Sequence, residues 1–213
     1  MLSVEQAFPT GVAGVIRTQN SDFAFRACLA AAEAGIGTLE VTTTVPSCFE
    51  IVRGLIASIG GKMPVGVGTV MDARAVQEAK NAGAAFVVTP VLLPEVAEAC
   101  RDLDLLCVLG ALTPTEVHHA RVLGAQVVKV FPVAALGGPA YISFLKGPLP
   151  DAPLWVSGGV EIDQIEAYLK LGVKAVGLTS ALFPPEALER GDIDTIRGLA
   201  QRAAAVTGAP ANL

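Results

Sequence analysis

A repeated unit, in which a helix-like stretch ends in glycine and a short apolar run follows, constrains the fold of this chain more than any other feature. The unit occurs four times at spacings of 48, 41 and 48 residues, and its glycines are Gly35, Gly83, Gly124 and Gly172. Glycine at such a position predicts a helix end in the left-handed conformation. The run after each glycine is largely apolar on both faces, which is typical of a parallel strand covered by helices.

Four more apolar runs alternate with these units, so the sequence predicts eight strands. The additional runs lie at 12–16, 64–67, 105–109 and 154–156, and helical patterns lie at 23–34, 73–82, 94–101, 114–123 and 161–171. Strand-helix alternation carried eight times predicts a closed (β/α)₈ barrel with parallel strands, formed as one domain by residues 1–213. An open doubly wound sheet is the alternative fold, and it is disfavoured because the glycine-rich motifs of nucleotide-binding sheets do not occur.

The repeat also predicts which side chains meet inside the barrel. Alternate strands of a (β/α)₈ barrel contribute to one interior layer, so residues at equal distances from the repeated glycines share a level. At the fifth position after each glycine stand Glu40, Val88, Lys129 and Gly177. We therefore expect a carboxylate and an amine in one layer of an apolar interior, beside a glycine that leaves room for a ligand.

The chemistry expected of this pair depends on the burial of Lys129. Burial disfavours a charged amine, and a neutral amine is a nucleophile that can form a Schiff base with a carbonyl substrate. The structural alternative is a lysine whose stem lies on apolar surface while its ammonium reaches water. Glu40 could be the partner of a buried cation or a proton-transfer group, and these two roles are compatible.

The ends of the seventh and eighth predicted strands carry residues suited to binding an anion. Ser157, Gly158 and Gly159 follow the seventh run, and Thr179 and Ser180 end the eighth. Loops at these two places form the recurrent phosphate site of (β/α)₈ barrels, where glycine lets a ligand approach backbone N–H groups. A plain tight turn is the alternative for the two glycines.

Other strand ends carry weaker candidates for ligand contacts. Arg17 follows the first run and could bind an anion, while Thr69 and Pro90 come at the ends of the third and fourth strands. The two histidines, His118 and His119, lie on a predicted helix before the sixth strand and receive no role. A metal site built from histidine is therefore not expected.

Charge and composition narrow the classes of partner. Fifteen Lys and Arg against twenty Asp and Glu give a formal net charge of −5, the opposite of a nucleic-acid binder. No run approaches the about 18 apolar residues that predict a membrane span. Only 16% of residues are charged, so we expect part of the surface to be buried in a homo-oligomer. The four cysteines form no close pair, which predicts reduced thiols and a cytoplasmic protein.

Together these residues resemble the class I 2-keto-3-deoxy-6-phosphogluconate (KDPG) and 4-hydroxy-2-oxoglutarate (KHG) aldolases. The resemblance runs from Val15 to Leu182, and its most specific stretches are 39–42, 66–70, 113–116, 128–132, 158–160 and 177–180. It implies a homotrimer of (β/α)₈ barrels that needs neither metal nor other cofactor. It also implies that Lys129 forms the Schiff base and that Glu40 is the general acid and base.

The same resemblance implies binding roles for the remaining candidates. Thr69, Pro90 and Phe131 would line the pocket for the pyruvyl part of the substrate. The substrate phosphate would lie against the candidates at the last two strand ends, which are Ser157, Gly158, Gly159, Thr179 and Ser180.

This chain departs from the family pattern at three places. Many members carry an arginine for the substrate carboxylate where this chain has Thr44, and we expect Arg17 to take over that role. Leu109 stands where proline is usual, and Thr179 stands where glycine is common. The last two departures bear on substrate preference more than on the chemistry.

The implied activity is cleavage of KDPG, a phosphorylated 2-oxo acid, to pyruvate and glyceraldehyde 3-phosphate. Alternatives that use the same lysine are an aldolase for KHG or for 2-keto-3-deoxy-6-phosphogalactonate, and a decarboxylase of oxaloacetate. Two further alternatives are a barrel that binds a phosphorylated metabolite without converting it and a metal-dependent aldolase that uses carboxylates.

Overall fold

Eight parallel strands close into a barrel in the computed structural model of this chain, which describes residues 1–208. The strands follow one another around the barrel in chain order, and β8 pairs with β1. They are β1 Val12–Ile16, β2 Leu39–Thr42, β3 Val65–Gly68, β4 Phe86–Val88, β5 Leu106–Ala111, β6 Val127–Val130, β7 Leu154–Ser157 and β8 Ala175–Leu178. The predicted (β/α)₈ barrel is confirmed. The predicted single domain extends to residue 213, and residues 209–213 lie outside the described part of the chain.

Helices alternate with these strands and surround the barrel. They are α1 Val4–Ala7, α2 Ser21–Glu33, α3 Cys48–Ile59, α4 Ala73–Asn81, α5 Pro94–Asp102, α6 Pro114–Val122, α7 Pro139–Lys146, α8 Ile165–Lys170, α9 Pro185–Arg190 and α10 Ile193–Thr207. The four repeated glycines follow α2, α4, α6 and α8, and their φ angles are 103°, 85°, 94° and 73°. Each lies in the positive region of φ that the repeat predicts, where only glycine is free of steric strain.

One predicted helix has a different form in the structure. The pattern at 161–171 divides into a 3₁₀ helix, Ile162–Gln164, and the shorter α8. Glu161 and Gln164 form a capping box that closes this first turn. Tight 3₁₀ turns are common at the beginnings of α-helices, and apolar periodicity does not distinguish the two forms.

The start of α6 shows how a helix is fixed to the strand before it. Thr113 and Glu116 form a capping box immediately after β5. The pKa of Glu116 is lowered, because the backbone N–H groups of Thr113 and Leu112 both donate to its carboxylate. The end of β5 is therefore held firmly against the helix that follows it.

The interior of the barrel has a lower level at the N-terminal ends of the strands and an upper level at their C-terminal ends. At the lower level Phe86 and Trp155 meet Phe8, which enters from the segment between α1 and β1. The three ring centroids lie 5.2 to 6.0 Å apart, and the rings are tilted or edge to face. All three side chains are buried, so aromatic rings close the bottom of the barrel.

Two further expectations concern the surroundings of the protein. Across residues 1–208, no helix combines the length and the apolar composition needed to cross a membrane. Cys28, Cys48, Cys100 and Cys107 are buried and carry no disulfide bonds. The cytoplasmic location itself stays a prediction.

Candidate active site

The upper level of the barrel contains a buried ion pair between β6 and β2. Lys129 Nζ donates to Glu40 Oε2 at 3.2 Å and to Oε1 at 3.4 Å. The two side chains are 8% and 1% exposed. Charged groups at such depth are stable only when paired. The predicted proximity of the two residues is confirmed.

Neighbouring residues fix the orientation of both members of the pair. A Cβ atom at Gly68 would lie 1.8 Å from Glu40 Oε1, so the carboxylate occupies the space that only glycine leaves. The Lys129 ammonium lies 5.2 Å from the Trp155 ring centroid and 5.8 Å from that of Phe131. Aromatic faces at these distances attract a cation. The amine is thus held between a carboxylate and two aromatic rings.

A cavity of about 310 Å³ opens above this pair at the C-terminal ends of the strands. Its volume is that of a site for a small metabolite. Its lining contains ten of the predicted site residues together with Val15, namely Arg17, Thr69, Pro90, Lys129, Phe131, Ser157, Gly158, Gly159, Thr179 and Ser180. Two predicted residues, Glu40 and Thr44, are not part of the lining. Glu40 is paired with Lys129, which lines the cavity, and Thr44 accepts a hydrogen bond from Arg17, which also lines it.

Arg17 is the cation at the side of the cavity formed by the first three strands. Its guanidinium donates from Nη1 to Thr44 Oγ1 at 2.9 Å and from Nη2 to Thr69 Oγ1 at 3.0 Å. A guanidinium carries five N–H donors, so these two bonds leave others for a ligand. The planar fork is well suited to a carboxylate.

The opposite side of the cavity is built from backbone. Gly158 and Gly159 have φ angles of 88° and 75°, and a Cβ atom would lie 2.8 Å from Pro132 Cα at the first position and 2.6 Å from Ala134 Cβ at the second. Among residues 1–208, the backbone N–H groups of Gly158, Gly159, Thr179 and Ser180 have no hydrogen-bond acceptor. Free N–H groups that converge on a cavity are typical of a phosphate site.

Comparison with known proteins identifies the class of this site. Residues 6–199 match the profile of the KDPG and KHG aldolase family. The chain belongs to this family. It is therefore an aldolase, a lyase that acts on a carbon–carbon bond, and the Schiff-base mechanism is typical of the family.

Two relatives and one solved structure show how close the similarity is. The 2-dehydro-3-deoxy-phosphogluconate aldolase of Dickeya dadantii is 32% identical over 205 residues, which cover 95% of each chain. The KHG/KDPG aldolase of Escherichia coli K12 is 30% identical over 203 residues, which cover 94% of each chain. The KDPG aldolase of Legionella pneumophila, solved with pyruvate as a covalent carbinolamine, superimposes with a TM-score of 0.82 at 27% identity over 93% of this chain and 95% of that chain.

The aldolase site differs from the sequence-based expectation at Gly177. We expected this glycine to leave room for a ligand beside Lys129. A Cβ atom there would lie 2.4 Å from Trp155 Nε1, so the indole ring already fills the space. The glycine accommodates a neighbouring side chain, and the ligand space lies higher, between Arg17 and the Gly158 loop.

Sequence reasoning also missed two threonines near the aldolase cavity. Thr42 donates to Ile16 O at 3.0 Å and Thr43 donates to Thr69 O at 2.7 Å. With Thr44 they form a run of three hydroxyl side chains at the end of β2. That run was the available signal, but threonine is also common at strand ends without any ligand.

Metal-ligating side chains were not predicted at this site. In the part of the chain that the structure describes, no three His, Cys, Asp or Glu side chains come together as a metal-binding group.

Proposed function

We propose that this aldolase cleaves KDPG to pyruvate and glyceraldehyde 3-phosphate through a Schiff base on Lys129. The observation that carries the proposal is the position of the Lys129–Glu40 pair, 3.2 Å apart and buried beneath a cavity that has a guanidinium on one side and free backbone N–H groups on the other. The names of the two relatives and the covalent pyruvate adduct of the Legionella pneumophila enzyme support the same chemistry.

In the first step of this mechanism the Lys129 amine attacks the C2 ketone of the substrate. The carbinolamine loses water and becomes an iminium ion. Glu40 accepts the proton that the ammonium must lose before it can attack, which the distance of 3.2 Å permits. It returns that proton to the carbinolamine hydroxyl, which leaves as water, so Glu40 is a carboxylate again when the iminium ion forms. The Thr69 hydroxyl and Arg17 hold the C1 carboxylate, so the ketone is directed toward Nζ.

Carbon–carbon cleavage follows from the iminium ion. The Glu40 carboxylate takes the proton of the C4 hydroxyl, directly or through water, and the C3–C4 bond breaks. The electron pair of that bond moves into the iminium to form an enamine, and the aldehyde leaves with its phosphate. Glu40 returns a proton to C3 of the enamine, and water hydrolyses the iminium to release pyruvate and restore the amine.

Borohydride trapping tests the identity of the nucleophile. We expect reduction of a mixture of enzyme and pyruvate to add mass to the peptide that contains Lys129. Lys129→Ala should abolish the mass gain and lower pyruvate release from KDPG by roughly 1,000-fold or more, because the covalent route is lost. Lys174→Ala, at an exposed lysine paired with Glu5, is the matched control. Labelling at another lysine, or full activity of Lys129→Ala, would refute the assignment.

The alternatives differ in substrate, so pyruvate release should be compared among KDPG, its galactonate isomer, KHG and oxaloacetate. The name of the Escherichia coli relative makes KHG the second candidate. Ser180→Asp places a negative charge beside the free N–H groups and should repel a phosphorylated substrate. We expect this variant to lose KDPG cleavage while it retains cleavage of KHG. Equal losses on the two substrates would argue against a phosphate at this loop.

The same measurement of pyruvate release distinguishes two rival functions from the proposed one. A barrel that only binds a phosphorylated metabolite would release no product from any of these substrates. A metal-dependent aldolase would lose its activity in EDTA, whereas we expect no loss.

We also propose that the enzyme is a cytoplasmic homotrimer, as the family resemblance implies. Three large apolar side chains on the C-terminal side of the barrel support self-association, since each is 38% to 49% exposed in one chain, and they are Met71, Val91 and Leu136. Light scattering of the purified protein measures the number of subunits.

A further inference from the structure

The backbone at Thr69 adopts an unusual conformation at the edge of the cavity. Thr69 has a φ angle of 57°, and of the three non-glycine residues with positive φ in residues 1–208 it is the only one with a β-branched side chain. The left-handed region is particularly unfavourable for β-branched residues. Such outliers persist only where the surrounding structure holds them in place.

Thr43 supplies two of the contacts that hold this segment. Its backbone N–H donates to Gly68 O at 2.8 Å, and its hydroxyl donates to Thr69 O at 2.7 Å. On the other side, Val70 N–H donates to Val88 O at 3.1 Å. The Thr43 hydroxyl is therefore the side-chain contact that fixes the carbonyl of the strained residue itself.

The strained conformation determines where the Thr69 hydroxyl lies. Thr69 Oγ1 accepts one hydrogen bond from Arg17, and Thr44 Oγ1 accepts another. The hydroxyl oxygens of Thr42 and Thr44 lie 2.8 Å apart. Because the single hydrogen of Thr42 is donated to Ile16 O, Thr44 must donate to Thr42 and offer its lone pairs to Arg17.

A chain of hydroxyl groups thus determines the orientation of Arg17. Both terminal nitrogens of the guanidinium are attached to threonines, and one of those threonines depends on Thr43 for its backbone conformation. Thr43 itself does not line the cavity, so it acts only through Thr69.

We propose that Thr43 is a positioning residue for recognition of the substrate carboxylate, since its hydroxyl holds Thr69 in the conformation that supports Arg17. This inference rests on the proposed function, in which Arg17 and Thr69 bind the carboxylate of a 2-oxo acid. It predicts an effect on ligands that carry a carboxylate and none on ketones that lack one.

The test is borohydride trapping on Lys129 with pyruvate and with acetone, which has a methyl group in place of the carboxylate. Thr43→Val should raise the pyruvate concentration for half-maximal trapping roughly three- to tenfold, the effect of one lost hydrogen bond. Its trapping by acetone should equal that of the parent protein. Thr43→Ser keeps the hydroxyl and should restore the parent value for pyruvate.

Thr38→Val is the matched control, because Thr38 and Thr43 are the residues directly before and after the same strand, β2. The Thr38 hydroxyl donates to Ala7 O at 2.9 Å at the opposite end of the barrel, so its loss should leave half-saturation by pyruvate unchanged. If Thr43→Val folds poorly, Thr43→Ser and Thr43→Cys are compared, and only the serine variant should match the parent.

Three outcomes decide against the inference, and they differ from one another. Unchanged half-saturation by pyruvate in Thr43→Val refutes a positioning role, and equal losses with pyruvate and acetone show a general structural role. The absence of trapping by either ketone in the parent protein refutes the proposed function and this inference with it.

Discussion

The two levels of the barrel interior come from the same strands but have opposite chemistry. On β7 the sequence passes from Trp155 at the lower level to Ser157 at the upper level, and on β6 it passes from Val127 to Lys129. The lower level is aromatic and closed by Phe8, whereas the upper level holds an ion pair and opens to the cavity. Side chains two residues apart on one strand therefore differ in role: the first packs the closed end of the barrel, and the second belongs to the active site.

This arrangement gives the ion pair one dry side and one accessible side. Below Lys129 the aromatic rings leave no polar partner for its ammonium, so Glu40 is its compensating group within the barrel wall. Above it the cavity admits a substrate to Nζ. The comparison predicts that substitutions at the upper level change activity, and that substitutions at the lower level change stability.

Among substitutions that leave Lys129 in place, the largest effect should come from Glu40→Gln, which keeps the shape of the side chain and removes its charge. We expect kcat for KDPG cleavage to fall roughly 100- to 10,000-fold, because the C4 hydroxyl loses its proton acceptor. Pyruvate should still be trapped on Lys129 by borohydride, since the substitution leaves the nucleophilic amine and the cavity above it in place.

Kinetics and trapping must be measured together on this variant, with thermal unfolding as the control for folding. Loss of trapping in parallel with kcat would mean that Glu40 only holds the lysine in place. Activity within tenfold of the parent would remove Glu40 from proton transfer.

Two glycines on β3 sharpen the comparison, because they lie two residues apart and face different levels. A Cβ atom at Gly68 would lie 1.8 Å from Glu40 Oε1, and one at Gly66 would lie 2.2 Å from the Phe86 ring. Gly68→Ala should displace the carboxylate and lower kcat roughly 10- to 100-fold. Gly66→Ala should lower the free energy of unfolding by about 1–3 kcal/mol and leave kcat near the parent value.

Each variant is the other's control, because both insert one methyl group into the same strand. Steady-state kinetics and urea unfolding of the pair separate the two effects. Equal loss of kcat in both would show that the two levels are mechanically coupled and that the distinction between them fails.

The main features of this molecule could be predicted from the sequence because they repeat. The helix-ending glycines set the phase of the strands, and that phase places Glu40 and Lys129 at one level. Their separation of 3.2 Å follows from backbone register and from the lengths of the two side chains. The strand ends then predict which loops surround the cavity.

What could not be predicted depends on side-chain volumes and hydrogen-bond directions. The sequence could not predict that Trp155 fills the space at Gly177. That prediction needs the orientation of the Trp155 ring, which leans toward β8, and no periodic pattern carries that information. Thr44 likewise contacts Arg17 and does not line the cavity itself, because its side chain is shorter than the arginine that stands there in the family pattern. Such details arise from contacts between neighbouring strands, which one sequence does not encode locally.

The smallest predicted effect concerns this contact between Trp155 of the lower level and Gly177 on the neighbouring strand. Gly177→Ala alone forces a methyl group to within 2.4 Å of Trp155 Nε1 and should destabilise the protein. Trp155→Phe removes Nε1, a nitrogen that is buried without a hydrogen-bond partner among residues 1–208. Removing this unsatisfied group partly offsets the packing that the smaller ring loses.

In the Trp155→Phe background, Gly177→Ala should therefore lower the free energy of unfolding by less than it does alone, with a coupling of about 1 kcal/mol in a double-mutant cycle. Urea unfolding of the four proteins measures the coupling, and additive effects would mean that the indole does not determine the need for glycine at this position.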